Sequence, residues 1–288
     1  MATTLQNANI FSLEAITSKA NPAPPLPPTV LILDSGVGGL SVYQHIQRLL
    51  PDLHYIYTFD NFAFPYGEKS EEFIVARVLK IVTAVHQRHA LALAVIACNT
   101  ASTVSLPTLR THFSFPIVGV VPAIKPAAWL THNKVIGLLA TRATITCSYT
   151  QDLIKRFASG CQIEQLWSSE LVKLAEAKLH GTRVSIDMLK EILTPWINMR
   201  KPPDTLVLGC THFPLLIEEL TQILPQGTQM VDSGAAIARR TSLLLSPLSN
   251  RVSAEENIAY CLVKNTDTDL LLPVLQQYGF TTVKTLPI

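Results

Sequence analysis

The chain has 288 residues, with 23 Lys and Arg against 21 Asp and Glu, a formal net charge of +2 and only 15% charged positions. About 25% is usual for soluble domains, and without a basic excess a nucleic-acid binder working through phosphate attraction is excluded. A hydrophobic fraction of 48% excludes disorder and supplies enough apolar surface for a large core, while the length predicts roughly two domains.

The longest unbroken apolar stretch, 90–98, is far short of the ~20 residues a membrane helix needs. The first 28 residues have no basic start followed by an apolar core, carry Glu14 and end in Pro22, Pro24, Pro25, Pro27 and Pro28. They predict no secretory signal, and the expected location is the cytoplasm. They read instead as a short extension on a stiff Pro-rich tether, with Ile10, Phe11, Leu13 and Ile16 available to dock on the body. Five cysteines, Cys98, Cys147, Cys161, Cys210 and Cys261, form no CxxC pair and have no His at zinc-finger spacing. Neither a disulfide framework nor a structural zinc site is expected.

Globular structure is predicted from Thr29. An apolar run at 30–33 stops at Asp34-Ser35-Gly36, after which Leu40, Tyr43, Ile46 and Leu50 recur at helical spacing. That is strand, loop, helix. A second strand follows at 54–59, an amphipathic helix at 73–86 and a third strand at 92–97. Short β-rich runs alternating with helices predict a parallel α/β sheet. The pattern repeats with a strand at 135–139, a helix at 146–157, a strand at 163–166, helices over 171–179 and 186–199, and a strand at 205–208. A helix at 215–224, a strand at 229–231 and a helix at 235–245 come next. The tail closes with a strand at 258–263, a helix at 269–278 and a short strand near Val283. Two α/β lobes are expected, 29–119 plus 229–288 forming the first and 120–228 the second, behind the extension 1–28.

The sequence carries an internal echo. Val95-Ile96-Ala97-Cys98-Asn99-Thr100 and Val207-Leu208-Gly209-Cys210-Thr211-His212 are each an apolar strand, a small residue, a Cys, two hydrogen-bonding residues and then a helix. Val121-Pro122-Ala123 and Val231-Asp232-Ser233 also each precede a helix. Two copies of one half-fold would put the two thiols in equivalent positions on facing lobes.

Ligands of open parallel sheets bind beyond the carboxyl ends of the strands, where Asp34, Cys98 and Cys210 are expected. A cysteine at a strand end is commonly just a small buried hydrophobe. Repetition in matching polar contexts, at helix starts that favour a thiolate, singles out Cys98 and Cys210. Asp34-Ser35-Gly36-Val37-Gly38-Gly39 lacks the lysine of a P-loop and the spacing of a dinucleotide fingerprint, so it reads as a tight turn into a helix. Asp34 can assist proton transfer at Cys98, and His212 can do so at Cys210. Two opposed thiols suit removal of a proton from one face of a carbon and its return to the other. A Cys with a His also suits nucleophilic acyl transfer, which leaves the second Cys motif without a purpose.

These motifs together resemble the glutamate racemases of the aspartate/glutamate racemase family. The resemblance runs from Val30 to the C-terminus and rests on Leu33-Asp34-Ser35-Gly36-Val37-Gly38-Gly39-Leu40, Pro65-Tyr66-Gly67 with Lys69-Ser70, Ala97-Cys98-Asn99-Thr100-Ala101, Leu208-Gly209-Cys210-Thr211-His212-Phe213-Pro214 and Val231-Asp232-Ser233-Gly234. It implies two pseudo-twofold-related α/β lobes with the active site in the cleft between them. It also implies cofactor-independent interconversion of L- and D-glutamate for peptidoglycan, with no metal. Cys98 and Cys210 become the acid/base pair, the first acting on D-glutamate and the second on L-glutamate, supported by Asp34 and His212. Ser35, Tyr66, Gly67, Asn99, Thr100 and Thr211 become the substrate's holders, and Glu176 aligns with a family carboxylate near the site. Relatives acting on aspartate or malonates, and a non-catalytic amino-acid receptor, are the alternatives; His212 and Tyr66 favour glutamate.

Ala63, where many members carry Arg, and the 1–28 extension resemble the enteric type, which implies activation by UDP-N-acetylmuramoyl-L-alanine. Arg110 and the segment Gly119, Val120, Val121, Pro122, Ala123, Ile124 and Lys125 are the candidates for that effector site. A monomer and a homodimer are both compatible with the sequence.

Overall fold

In the computed structural model the described residues are 28–246 and 256–288; the expectations for the extension and for the prolines up to residue 27 lie outside them. Strand β1 (Thr29–Asp34) has no polar alternation, and its last five residues are buried, as a strand with neighbours on both sides and helices on both faces requires. It pairs in parallel with β2 (His54–Phe59) on one side and β3 (Leu91–Ile96) on the other. Three helices connect and extend these strands: α1 (Leu40–Leu49), α2 (Glu71–His86) and α3 (Asn99–His112). At the start of α2 the Ser70 hydroxyl accepts the Phe73 N–H at 3.3 Å, and Glu71 and Glu72 occupy the positive end of the helix; such a cap contributes about 1 kcal/mol.

The chain lays β4 (Ile117–Gly119) beside β3 and crosses through α4 (Ile124–Leu130) into a second sheet. That sheet comprises β5 (Val135–Ala140), β6 (Gln162–Trp167), β7 (Thr205–Leu208) and β8 (Gln229–Val231). Its helices are α5 (Arg142–Thr146), α6 (Ser148–Phe157), α7 (Ser169–Leu179), α8 (Ile186–Ile197) and α9 (Ile217–Ile223). Helix α10 (Gly234–Leu245) then returns to pack on α1, and β9 (Ile258–Cys261), α11 (Thr266–Gln277) and β10 (Thr282–Thr285) complete the first sheet.

The strand orders are β10-β9-β2-β1-β3-β4 and β6-β5-β7-β8. Within the first, β2-β1-β3-β4 is the second order shifted by four, so the internal echo is a duplication of topology. Strand β3 before Cys98 corresponds to β7 before Cys210.

Alternation along β1 divides the first lobe's core. Val30 and Ile32 pack with Tyr43, Ile46, Tyr57 and Phe280 on one face, and Leu31 and Leu33 pack with Ile74, Val78, Val82 and Leu109 on the other. Each such buried side chain contributes about 1.5–3 kcal/mol.

Four expectations are corrected. Strand 229–231, assigned to the first lobe, pairs with β7 in the second sheet (Thr205↔Gln229), because the duplicated unit needs its fourth strand. The helix expected at 146–157 is α6, starting at Ser148, and a separate short helix, α5, precedes it. Cys147 separates them with an extended backbone, and its Sγ accepts the Thr150 N–H at 3.4 Å. The helix expected at 215–224 begins as a 3-10 turn, Phe213–Leu216, with Pro214 in its first turn, where a missing N–H costs nothing. Strand β4 went unread, since three residues after Pro116 are too few to show a period.

Candidate active site

The loops at the carboxyl ends of the two sheets meet. Asp34 closes β1 and is 1% exposed; its Oδ2 accepts the Gly39 N–H at 2.8 Å, which holds the turn into α1. Its Oδ1 is buried and has no partner among the described residues. Burial raises the Asp34 carboxyl above the usual range, against the opposing pull of His212 and of the Gly39 N–H. Cys98 is the residue that caps α3, and its Sγ lies 3.7 Å from Ser35 Oγ. Burial, and then the negative charge of Asp34, push its thiol far up. Cys98 is therefore a neutral thiol, an acid rather than a base, in this state.

The second thiol stands in the opposite setting. Cys210 Sγ is 3.8 Å from His212 Nδ1, and His212 Nε2 is 2.7 Å from Glu176 Oε2. Helix α7 supplies Glu176, and the same Oε2 accepts the Val37 N–H from the other lobe at 3.1 Å. Burial pushes the imidazole down, but the hydrogen bonds and charges of Cys210 and Glu176 outweigh it and hold His212 well above its ordinary value. His212 Nδ1 thus faces Cys210 Sγ directly, placed to pass a proton to it or take one from it. Glu176, expected from the family pattern near the site, is thus brought into it.

The raised His212 value gives a testable sign. A histidine bound more tightly to its proton in the folded state contributes stability in full below its unfolded value of about 6.5, lost as pH rises through the folded value. The denaturation midpoint of the parent minus that of His212→Gln is expected to shrink steadily from pH 6.5 upward. A difference constant with pH would show that His212 is not held protonated.

The remaining candidates divide. Asn99, Thr100 and Thr211 are buried, and Asn99 Nδ2 has no partner among the described residues. Thr100 Oγ1 lies 3.0 Å from Thr141 Oγ1 and 3.4 Å from Thr144 Oγ1, joining α3 to the first turn of α5 across the lobes. A Cβ on Gly67 would stand 3.1 Å from Thr141 Cβ, so Gly67 faces Thr141. Tyr66 differs from expectation: its hydroxyl donates to Asp60 at 2.7 Å, so any hold it has on a ligand is through its backbone. Ala63 is buried, with its N–H 3.3 Å from Asp60 Oδ1.

Sequence reasoning missed Thr141, Thr144 and Ser41. Thr141 follows β5 as Ser35 follows β1, so the duplication itself carried the signal. Ser41 Oγ lies 2.8 Å from both the Thr211 and Gly38 carbonyl oxygens, a link with no local motif. The glycines of the 34–39 loop make the expected tight turn into α1 and also leave space for side chains of the other lobe. A Cβ on Gly38 would lie 2.4 Å from His212 Nδ1, and one on Gly36 would lie 2.9 Å from Glu176 Oε2. Among the described residues no three His, Cys, Asp or Glu side chains converge as a metal site would require, and no helix is long and apolar enough to cross a membrane.

Of the eight effector candidates, Arg110 and Gly119 line a cavity of about 520 Å³ together with Ile237 and Arg240. Val120, Pro122, Ala123 and Ile124 are buried, Val121 is half-buried, and Lys125 lies 4.8 Å from the Trp129 ring centroid on the second lobe.

Residues 30–241 match the model of the Asp/Glu/Hydantoin racemase family. Glutamate racemase of Yersinia pestis is 70% identical over 289 residues, covering 100% of both chains. Among solved structures, Escherichia coli glutamate racemase in complex with L-glutamate and the activator UDP-MurNAc-Ala is 67% identical with a TM-score of 0.88, covering 90% of this chain and 98% of that one. The RacE1 glutamate racemase isoform of Bacillus anthracis is 26% identical with a TM-score of 0.79, covering 91% and 98%. With the duplicated α/β frame in place, the family model over 30–241 and 70% identity over the whole length show that the chain belongs to the Asp/Glu/Hydantoin racemase family, on its glutamate racemase branch.

Proposed function

We propose that this glutamate racemase inverts the α-carbon of glutamate with Cys98 and Cys210 as its two acid/base groups and without a cofactor. The observation that carries this reading is the placement of the two buried thiols after equivalent strands, Cys98 with its Sγ 3.7 Å from Ser35 Oγ and Cys210 with its Sγ 3.8 Å from His212 Nδ1. With L-glutamate bound, the Cys210 thiolate takes the α-proton and becomes a thiol, the electron pair stays on the α-carbon and its carboxylate, and Cys98 gives its proton to the opposite face and becomes a thiolate. The reverse reaction exchanges the two roles.

Supporting groups follow from their unmet bonding capacity. Asn99 Nδ2, a buried donor, suits a substrate carboxylate, and Asp34 Oδ1, a buried acceptor, suits the ammonium. Ser35, Thr100 and Thr211, with the backbone of Tyr66 and Gly67, complete the neutral donors. His212 acts through Cys210, and Glu176 acts through His212. Two lobes enclose the site, 29–119 with 232–288 and 120–231.

The product supplies peptidoglycan synthesis, and the enzyme works in the cytoplasm, where thiols stay reduced. UDP-N-acetylmuramoyl-L-alanine is the proposed activator; the cavity of Arg110, Gly119 and Arg240 offers two guanidinium groups to its diphosphate.

The test is incubation of L- and of D-glutamate in D2O without added cofactor, with and without the muramoyl nucleotide, following Cα–H loss and optical rotation. Both enantiomers are expected to exchange and invert, faster with the nucleotide. No exchange from either would sink the proposal.

A further inference from the structure

We propose that Asp60 and Arg77 are positioning residues that clamp the Pro65-Tyr66-Gly67 loop against the first lobe and so set the affinity for glutamate. Asp60 follows β2, is fully buried, and its N–H donates to the Asp34 carbonyl at 3.0 Å. Its carboxylate receives four donors. Arg77, from α2, grips it in a fork, Nε to Oδ2 at 2.7 Å and Nη2 to Oδ1 at 2.8 Å. The Tyr66 hydroxyl donates to Oδ2 at 2.7 Å, and the Ala63 N–H lies 3.3 Å from Oδ1. Phe62 covers the guanidinium at 5.0 Å.

A second anchor lies beside the first. Asn61 Oδ1 accepts the Leu262 and Val263 N–H groups at 3.0 and 3.1 Å, and its Nδ2 donates to the Val263 carbonyl at 2.6 Å. Residues 60–66 are therefore tied at both ends, at one by the sheet and the chain's return after β9, at the other by Tyr66. The next residue, Gly67, is the one that faces Thr141 across the cleft. A forked guanidinium fixes direction as well as distance, which a point charge does not. Release of Tyr66 frees Gly67 to drift, and the loop holds ground state and transition state alike. The loss should then fall on KM.

This inference rests on the reading that the Tyr66-Gly67 loop holds glutamate, and the experiment separates the two. Arg77→Met, Arg77→Lys, Tyr66→Phe and Gly67→Ala are assayed as full-length enzymes with both enantiomers, alongside thermal unfolding. Arg77→Met is expected to raise KM about tenfold for both enantiomers with kcat within about twofold, and Arg77→Lys, which keeps the charge without the fork, to raise it less. A merely structural role would lower kcat with the amount of folded enzyme and leave KM in place; that result overturns the clamp. Should Arg77→Met not fold, Tyr66→Phe decides, since it removes one hydroxyl and keeps the ring: raised KM supports the clamp and unchanged KM overturns it. Raised KM in Gly67→Ala with unchanged KM in the Arg77 and Tyr66 variants removes the clamp alone. Unchanged KM in Gly67→Ala removes the loop's substrate role and the clamp with it.

Discussion

Alanine at Cys98 or at Cys210 is expected to cut racemisation about 10³-fold or more in both directions, within the range for loss of one general acid or base. Each thiol serves one face of the α-carbon, so one remaining thiol can open the reaction but cannot complete it. The two directions must fall together, because enantiomers in water are of equal energy and their kcat/KM values have a fixed ratio. Proton exchange is not bound in this way and separates the roles. Cys98→Ala keeps the Cys210–His212–Glu176 chain and is expected to wash the α-proton of L-glutamate into D2O without inversion, while D-glutamate stays protonated. Cys210→Ala should do the reverse. Magnetic resonance at the α-carbon combined with chiral chromatography reads both quantities, and a single-thiol variant racemising within about tenfold of the parent would refute the two-thiol mechanism.

Gly38→Ala is the second large effect, expected to cost about 10²-fold in kcat/KM, the scale of a misplacement of about 1 Å in a catalytic group. The added methyl would lie 2.4 Å from His212 Nδ1 and 2.7 Å from its Cγ and Cε1. His212 has nowhere to swing, since it is 2% exposed and its Nε2 is fixed on Glu176 at 2.7 Å. Relief must come from separating the loop from the 210–212 segment, which also breaks the Val37 N–H contact with Glu176 and the Ser41 contact with the Thr211 carbonyl. Steady-state kinetics and a melting curve check it; unaltered activity would mean that the imidazole position is not what Gly38 protects.

Much of this arrangement was legible in the residues. Strand ends at Asp34, Cys98 and Cys210 follow from apolar runs stopping at polar residues, and the repeated Cys context alone points to the duplication. Long-range packing was not legible. Gly38 is small because of a histidine 174 positions later, and nothing between residues 34 and 39 hints at that. Glu176 has the spacing of an ordinary surface charge on α7, and only its contacts with His212 and Val37 draw it inward. The motif points to Tyr66 as a residue and not to an atom of it, whereas Asp60 engages the hydroxyl. The lobe boundary at 229 failed because a three-residue strand carries no signature of the partner it will choose.

The closing of the first sheet by β9 and β10 has a consequence for biosynthesis. As the chain leaves the ribosome, β1 to β4 emerge with the outer edge of β2 open, and all four strands of the second sheet are complete before Ile258 appears. Cys98 is translated long before Cys210, yet it belongs to the lobe that is finished last. Until β9 pairs with Ile56–Phe59, a fully buried-type strand presents bare N–H and C=O groups, a template for wrong partners. A nascent chain halted before Ile258 would thus hold both thiols and a finished second sheet, and still be an aggregation hazard rather than half an enzyme.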